Sequence, residues 1–364
     1  MKLAIFSLAL LAATVFPQVG EAKETSHQDM VNRSVEFLRS SQADDGSFSG
    51  KVGLGPTGLV VTGLLASGVS ADDPMVTKGL KYLQSHVQPS GGIHKPESLH
   101  RNYATCIAMM AFARANESGK YDALLSRAET FVKGIQWDAS EGKSKDDPFW
   151  GGAGYGSHSR PDMSNTSYLI DALHDLGRGS DDEAMLQALA FISRCQNLDT
   201  KHNQSEFADK IGDGGFYYTV AAGGESKAGV EENGGLRSYG SMTYAGLKSM
   251  IYAGVSKDDR RVTAAIEFLR KNYDLESNPG VGQQGLYYYY HTMAKAFDAV
   301  GQPHFVDAAG EKHDWKTEIR NQLAKAQRDN GSWVNDTTRW MEGDPNLVCG
   351  YALLALSYCK PDGK

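Results

Sequence analysis

The sequence is short of cysteine, of clustered cations and of long apolar runs, and each shortage removes a class of function. Only four cysteines occur among 364 residues, Cys106, Cys195, Cys349 and Cys359, and none has the spacing of a zinc knuckle or a redox pair. Cys106 and Cys349 fall in apolar stretches, where a free thiol behaves as a small hydrophobe. Buried thiols are therefore the plain reading, and spacing gives no support to a bridge through Cys349 or Cys359. Lys and Arg number 37 against 44 Asp and Glu, a net charge of −7 with a pI near 5.8, and they are scattered along the chain. With no basic footprint, no nucleic acid partner is expected.

One apolar stretch stands at the start. Met1-Lys2, then Leu3 to Phe16, then the small-residue site Gly20-Glu21-Ala22 read as a signal peptide over residues 1–22. Nothing later is apolar and long enough to cross a bilayer, so no transmembrane segment is expected after cleavage. The expected mature protein is a single exported domain over residues 23–364, periplasmic or secreted.

What the chain has is a repeat. A helical stretch, often closed by Gln, leads through a short loop to Gly-(Gly or Ser)-aromatic or an apolar variant. The six copies are Phe37 to Gln42 with Gly46-Ser47-Phe48, Tyr82 to Gln84 with Gly91-Gly92-Ile93, Phe131 to Gln136 with Gly151-Gly152, Phe191 to Gln196 with Gly214-Gly215-Phe216, Phe268-Leu269 with Gly285-Leu286-Tyr287, and Leu323 to Gln327 with Gly331-Ser332-Trp333. Their first glycines lie between 45 and 71 residues apart, which suits two helices per unit with variable loops. After each glycine comes a second helix rich in small apolar residues: Gly58 to Ala66, Tyr103 to Ala113, Thr166 to Leu176, Met242 to Ala253, His291 to Val300 and Leu347 to Leu356. Small residues permit close helix packing, so these form an inner ring. The Gln amides are expected to satisfy orphan backbone groups at a neighbouring helix end, and most repeat residues are scaffold.

Within these repeats, His100-Arg101-Asn102-Tyr103-Ala104-Thr105-Cys106, Phe191 to Asn197 and Tyr290-His291-Thr292 resemble segments of protein prenyltransferase β subunits, and the chain resembles the terpenoid cyclase and protein prenyltransferase superfamily. The resemblance covers nearly the whole mature chain. It implies an all-α fold, an α/α toroid of six helical hairpins whose twelve helices form an inner and an outer ring, with inner helices starting beside a central cavity.

The family's chemistry maps only in part. His291 matches the prenyltransferase zinc-ligand histidine, but the Asp-x-Cys that supplies the other ligands falls on Tyr239-Gly240-Ser241, and one ligand does not hold a metal. The diphosphate-gripping cations are replaced by Glu231-Glu232-Asn233-Gly234-Gly235-Leu236-Arg237. The squalene cyclase Asp-x-Asp-Asp acid matches Asp162-Met163-Ser164-Asn165 best, with Ser164 in place of the proton donor. The loop of thioester-containing relatives falls on Gly280-Val281-Gly282-Gln283-Gln284, which has no cysteine. No cofactor and no metal site is therefore expected, and whether the chain is an enzyme stays open.

The candidate site residues are those beside the predicted inner helices. His291, Tyr290 and Asp162 are the catalytic candidates; each is also readable as a cap or a core residue. Arg101, Asn165, Tyr239, Tyr287, Trp340 and Asp344 are the ligand-binding candidates, Trp340 by stacking and Asp344 as part of a rim with Arg339 and Glu342. Paired acids such as Asp72-Asp73 and Asp181-Asp182 sit in turns and read as caps.

Three functions stay open: binding, with or without transformation, of an isoprenoid or other apolar ligand in the cavity; a polysaccharide lyase or hydrolase using Tyr290, His291, Asn165 and Arg101; and a non-catalytic scaffold whose protein partner is unknown.

Overall fold

Two kinds of helix alternate along the chain, and their surfaces dictate where they go. The odd-numbered helices, α1 (His27–Ser41), α3 (Pro74–Gln84), α5 (Asp122–Lys133), α7 (Glu183–Arg194), α9 (Arg260–Lys271) and α11 (Trp315–Ala326), carry one apolar stripe and an otherwise charged surface. Such helices must lie at the outside with one face on the core. The even-numbered ones, α2 (Gly55–Ala66), α4 (Arg101–Arg114), α6 (Met163–Asp175), α8 (Gly240–Tyr252), α10 (Leu286–Val300) and α12 (Pro345–Tyr358), are buried around most of their circumference. These belong inside.

The computed structural model, which describes residues 26–156 and 159–361, arranges them accordingly. Each even-numbered helix packs on the next, and α12 packs on α2, so the six close into a ring. The odd-numbered helices surround it: α3, α5, α7 and α9 each pack on the inner helix that precedes them, α1 on α12, and α11 on both α10 and α12. The fold is the α/α toroid of six hairpins, and all six predicted inner helices are found. A two-stranded hairpin, β1 (Phe305–Val306) with β2 (Lys312–His313), lies between α10 and α11. The signal peptide expected at residues 1–22 lies outside the described residues. No described helix is long and apolar enough to cross a membrane.

The repeat glycines work by close approach. Gly151 has φ +79°, and a Cβ built on it would stand 1.9 Å from the Gln187 carbonyl oxygen of the next outer helix. Gly46, Gly91, Gly214 and Gly331 press in the same way on Lys78, Arg127, Ala264 and Arg33. Gly331 therefore seats the last repeat on the first helix. Beside four of the five glycines, a Gln side chain completes the joint: Gln42, Gln136, Gln196 and Gln327 each donate to their own glycine carbonyl and to a first-turn carbonyl of the next outer helix, at 2.8–3.0 Å.

Three expectations change. The Gln amides do not rescue orphan groups, because a first-turn carbonyl already accepts an intrahelical bond and it is its second lone pair that is used. Gln84 is exposed; in that repeat Gln88 instead bonds the carbonyls of His86 and His94 within its own loop. Gly285 is not a repeat glycine: it precedes α10 and packs on Trp340, so the fifth repeat lacks the glycine joint. All four cysteines are buried free thiols, and burial pushes Cys349 and Cys359 up to about 12.

Candidate functional site

The first turns of all six inner helices surround one cavity of about 620 Å³. Its wall is built from tyrosines. Tyr103, Tyr168, Tyr288 and Tyr351 project from α4, α6, α10 and α12, while Tyr155, Tyr218 and Tyr239 come from the segments that precede α6 and α8. The rings lock one another edge to face: Tyr103 meets Tyr168 at 5.2 Å and 90°, and Tyr288 meets Tyr351 at 5.8 Å and 68°. The hydroxyls of Tyr168 and Tyr351 approach to 3.4 Å, as do those of Ser164 and Tyr288. Burial raises these phenols, Tyr103 to about 12, so they are neutral donors rather than bases.

The mouth differs in character from the floor. Val52, Leu99, Trp340 and Met341 line it and remain exposed. Lys51, Lys95 and Lys227 stand among them. Lys95 donates to the Gly50 carbonyl at 2.7 Å, and Lys227 pairs with Glu225 while its ammonium lies 4.4 Å from the Tyr218 ring centre. Trp340 and Met341 have φ of +55° and +67°, a conformation that costs a non-glycine residue about 1–3 kcal/mol and persists only where surroundings impose it. The imposing contacts include Gly285 beneath the indole and the Arg339 guanidinium 5.0 Å from its ring centre.

Below the tyrosines the axis is closed by charge. Asp171 on α6 accepts from Lys248 of α8 at 2.5 Å and Lys295 of α10 at 3.0 Å, all three buried. Burial alone would raise the Asp171 carboxyl, but the two ammonium groups outweigh it and hold it at about 2. A buried carboxylate with two cations is a structural plug, because removing any partner strands a charge away from water.

His291 lies between plug and cavity, not at the mouth. Its ring stacks against Tyr351 at 5.9 Å, it is 1% exposed, and neither nitrogen has a hydrogen-bond partner among the described residues. Burial, with Lys295 next, depresses it to about 3, so it is neutral. Tyr290 turns away from the axis and donates to the Leu275 carbonyl at 2.6 Å, and Tyr287 packs edge-on against Tyr290. Tyr287 and Tyr290 thus share a face, as their spacing suggests, but that face is not the cavity wall.

Asp162 is the N-cap of α6: it accepts from the Asn165 amide at 2.9 Å and from the Asn165 side chain at 2.8 Å, and also bonds Tyr218. Burial nevertheless pushes it up to about 6. Asn165 is committed to that contact. Asp344 is likewise the N-cap of α12, not a rim group, and Arg101 donates to the Ser98 carbonyl at 3.1 Å. Of the nine candidates, Tyr239 and Trp340 line the cavity. Glu342, buried and raised by that burial, accepts from the Tyr288 amide at 2.8 Å and from Asn335 at 2.8 Å, and so caps α10 where Gly285 offers no side chain.

The positions that carry family chemistry can now be compared in space. Ser164, Tyr239 and Ser241 all line the cavity, and His291 does not. The prenyltransferase ligand set is therefore broken in geometry as well as in residue type, and the cyclase acid position presents a hydroxyl that pairs with Tyr288. The tyrosines and Ser164 that sequence reasoning left out had a signal: polar residues recurring three, four and seven positions apart in otherwise apolar helices, as in Ser164, Tyr168 and Asp171 or Tyr288, His291 and Lys295.

A profile of the squalene-hopene cyclase C-terminal domain matches residues 6–102. No curated protein matches the chain. Among solved structures, a glycosyl hydrolase of family 88 from Bacteroides vulgatus aligns over 92% of this chain and 98% of its own at 9% identity with a TM-score of 0.54. The type II terpene cyclase MstE from Scytonema aligns over 92% and 97% at 15% identity, with a TM-score of 0.34, and a variant of it in complex with geranylgeranyl dihydroxybenzoate over 92% and 97% at 13% with the same score. The hydrolase shares the fold. The matched profile agrees with the resemblance to the terpenoid cyclase superfamily.

Proposed function

We propose that this chain is an exported protein that binds an apolar, isoprenoid-type ligand in its tyrosine-walled cavity, with the ligand's polar end at the lysine-bearing mouth. The observation that carries the reading is the cavity wall: seven tyrosines around a space whose volume falls within the roughly 300–1,000 Å³ of small-molecule sites. Aromatic faces suit an unsaturated hydrocarbon, and the positive ends of six helix dipoles, together with Lys51, favour an electron-rich head at the opening. The profile match to a cyclase domain supports the same ligand class.

Binding is favoured over transformation. Cyclisation from an alkene needs a carboxylic acid at the Ser164 position, and prenyl transfer needs three metal ligands where only His291 is of the right type, on the far side of Tyr351. The carbohydrate reading loses its residue set, because Tyr290, His291, Asn165 and Arg101 do not meet in the cavity. The test is titration of the mature protein with farnesol and geranylgeraniol, read by Trp340 fluorescence, alongside mass spectrometry of organic extracts. Saturable one-to-one binding, quenched by a cavity-filling variant, supports the proposal. An empty protein that ignores both alcohols but releases unsaturated products from a uronic-acid polymer would replace it with the lyase reading.

A further inference from the structure

The hairpin between α10 and α11 holds a second cluster of chemically capable side chains, remote from the cavity wall. Asp307, Glu311 and His313 bring one donor atom each to within 4.8 Å of one another. Two contacts orient them. The Glu311 amide donates to Asp307 Oδ1 at 2.8 Å, which fixes that carboxylate, and Asp307 Oδ2 stands 3.5 Å from His313 Nε2. On the other edge of the imidazole, Nδ1 lies 3.1 Å from the Glu318 carboxylate. Glu318 in turn accepts from the Tyr273 hydroxyl at 2.7 Å, and the Tyr273 ring stacks on His313 at 4.1 Å.

A carboxylate at Nδ1 orients the ring, as in the carboxylate–histidine pairs that orient metal ligands. The opposite edge, with the buried Nε2, faces the Asp307 and Glu311 carboxylates, so three donor atoms of metal-ligating type converge on one point. Two donors of one tetrahedral ion with bonds of about 2.0–2.1 Å stand about 3.3 Å apart, close to the spacing of His313 Nε2 and Asp307 Oδ2.

We infer that Asp307, Glu311 and His313 form a site for a zinc-class divalent cation that pins the β1–β2 hairpin. One imidazole nitrogen with two carboxylate oxygens suits a borderline ion that accepts four ligands, the last being water; calcium takes six to eight oxygens, and the hairpin does not supply them. The ion's role is structural. The hairpin carries Phe305, whose ring packs on Phe297 at 4.7 Å and on Tyr273 at 5.4 Å, so fixing the strands fixes a joint between α10 and the loop after α9.

The experiment uses the full mature chain without a histidine tag, stripped with chelator and titrated with Co²⁺, followed by Zn²⁺ displacement. The expected result is one equivalent of cobalt with the visible bands of low coordination number, lost on addition of zinc and absent in His313→Ala. Glu318→Gln, which leaves all three ligands in place, is expected to weaken binding about 10–100-fold. Glu311→Gln alters an exposed ligand; it is expected to weaken cobalt binding while the metal-free protein melts as wild type does, which separates ligand loss from misfolding. Absence of saturable cobalt uptake by the wild type would overturn the site. Uptake that persists unchanged in both His313→Ala and Glu311→Gln would overturn it equally.

Discussion

The Gln327 amide nitrogen lies 2.9 Å from the Met30 carbonyl oxygen, and through that bond the end of the chain is joined to its beginning. The same group donates to Gly331, so one side chain holds the last glycine turn and the first helix together. Identical joints at Gln42, Gln136 and Gln196 link successive repeats, but only the Gln327 joint closes the ring. Gln327→Ala is expected to lower stability by about 1–3 kcal/mol, the cost of leaving the part-buried Gly331 carbonyl without a donor and of losing the tie to Met30. Chemical denaturation checks this, and an unchanged midpoint would show that helix packing alone closes the toroid.

Gly151 and Gly177 separate backbone conformation from close approach. Both have positive φ, +79° and +77°, but a Cβ on Gly177 meets nothing within 4 Å, whereas one on Gly151 collides with the Gln187 backbone. Gly177→Ala is expected to cost roughly 1–2 kcal/mol, the left-handed penalty alone. Gly151→Ala adds displacement of a helix and is expected to exceed about 4 kcal/mol or to prevent soluble expression. Equal melting temperatures for the two variants would contradict the packing account.

Asp162 gives the fold a pH dependence of definite sign. Burial raises its folded-state value from 3.8 to about 6, so between those limits the folded protein binds more protons than the unfolded chain. The neutral acid's contribution is fully present below about pH 4 and is lost as pH rises through 6. Asp162→Asn cannot ionise. Its stability relative to wild type is expected to rise by up to about 3 kcal/mol from pH 4 to pH 7, measured by denaturation of both proteins across that range. A difference that stays constant with pH would mean that Asp162 is already charged at pH 4.

Cavity occupancy has a direct test at Ser164, which lines the wall where the family's acid would stand. Ser164→Trp fills the space next to Tyr288 and is expected to weaken farnesol binding at least tenfold, about 1.4 kcal/mol. His291→Ala leaves the wall intact and is expected to bind within a factor of about three of wild type, while losing stability from the space left against Tyr351. The ordering of the two affinities, measured by fluorescence titration, decides whether the ligand sits in the cavity; the reverse ordering would move it elsewhere.

Reading the chain in order revealed the ring because its cause is local. Apolar helices rich in small residues can only be buried, one-sided helices can only cover them, and glycines followed by aromatics mark where one becomes the other, so all six inner helices and five of the six glycine turns were legible. The starts of inner helices were also the right place to look, since the cavity lies there. The side chains were not legible. Four tyrosines and a histidine follow one another from Tyr287 to His291, each turned about 100° from the last, and the sequence does not say which direction faces the axis. The ring decides it: Tyr288, His291 and Lys295 face inward in descending layers, while Tyr287 and Tyr290 face the loop before α10. Asp162 and Asp344 look alike as acids before a helix, and both proved to be caps because backbone amides left unpaired at a helix start are the nearest donors. The sequence by itself determined the number and order of the helices, and which of them form the inner and the outer ring, through composition and period. Helix rotation, the tyrosine wall and the Asp171 plug were decided only by tertiary structure, because each depends on residues far apart in the chain or on a rotation that packing alone selects.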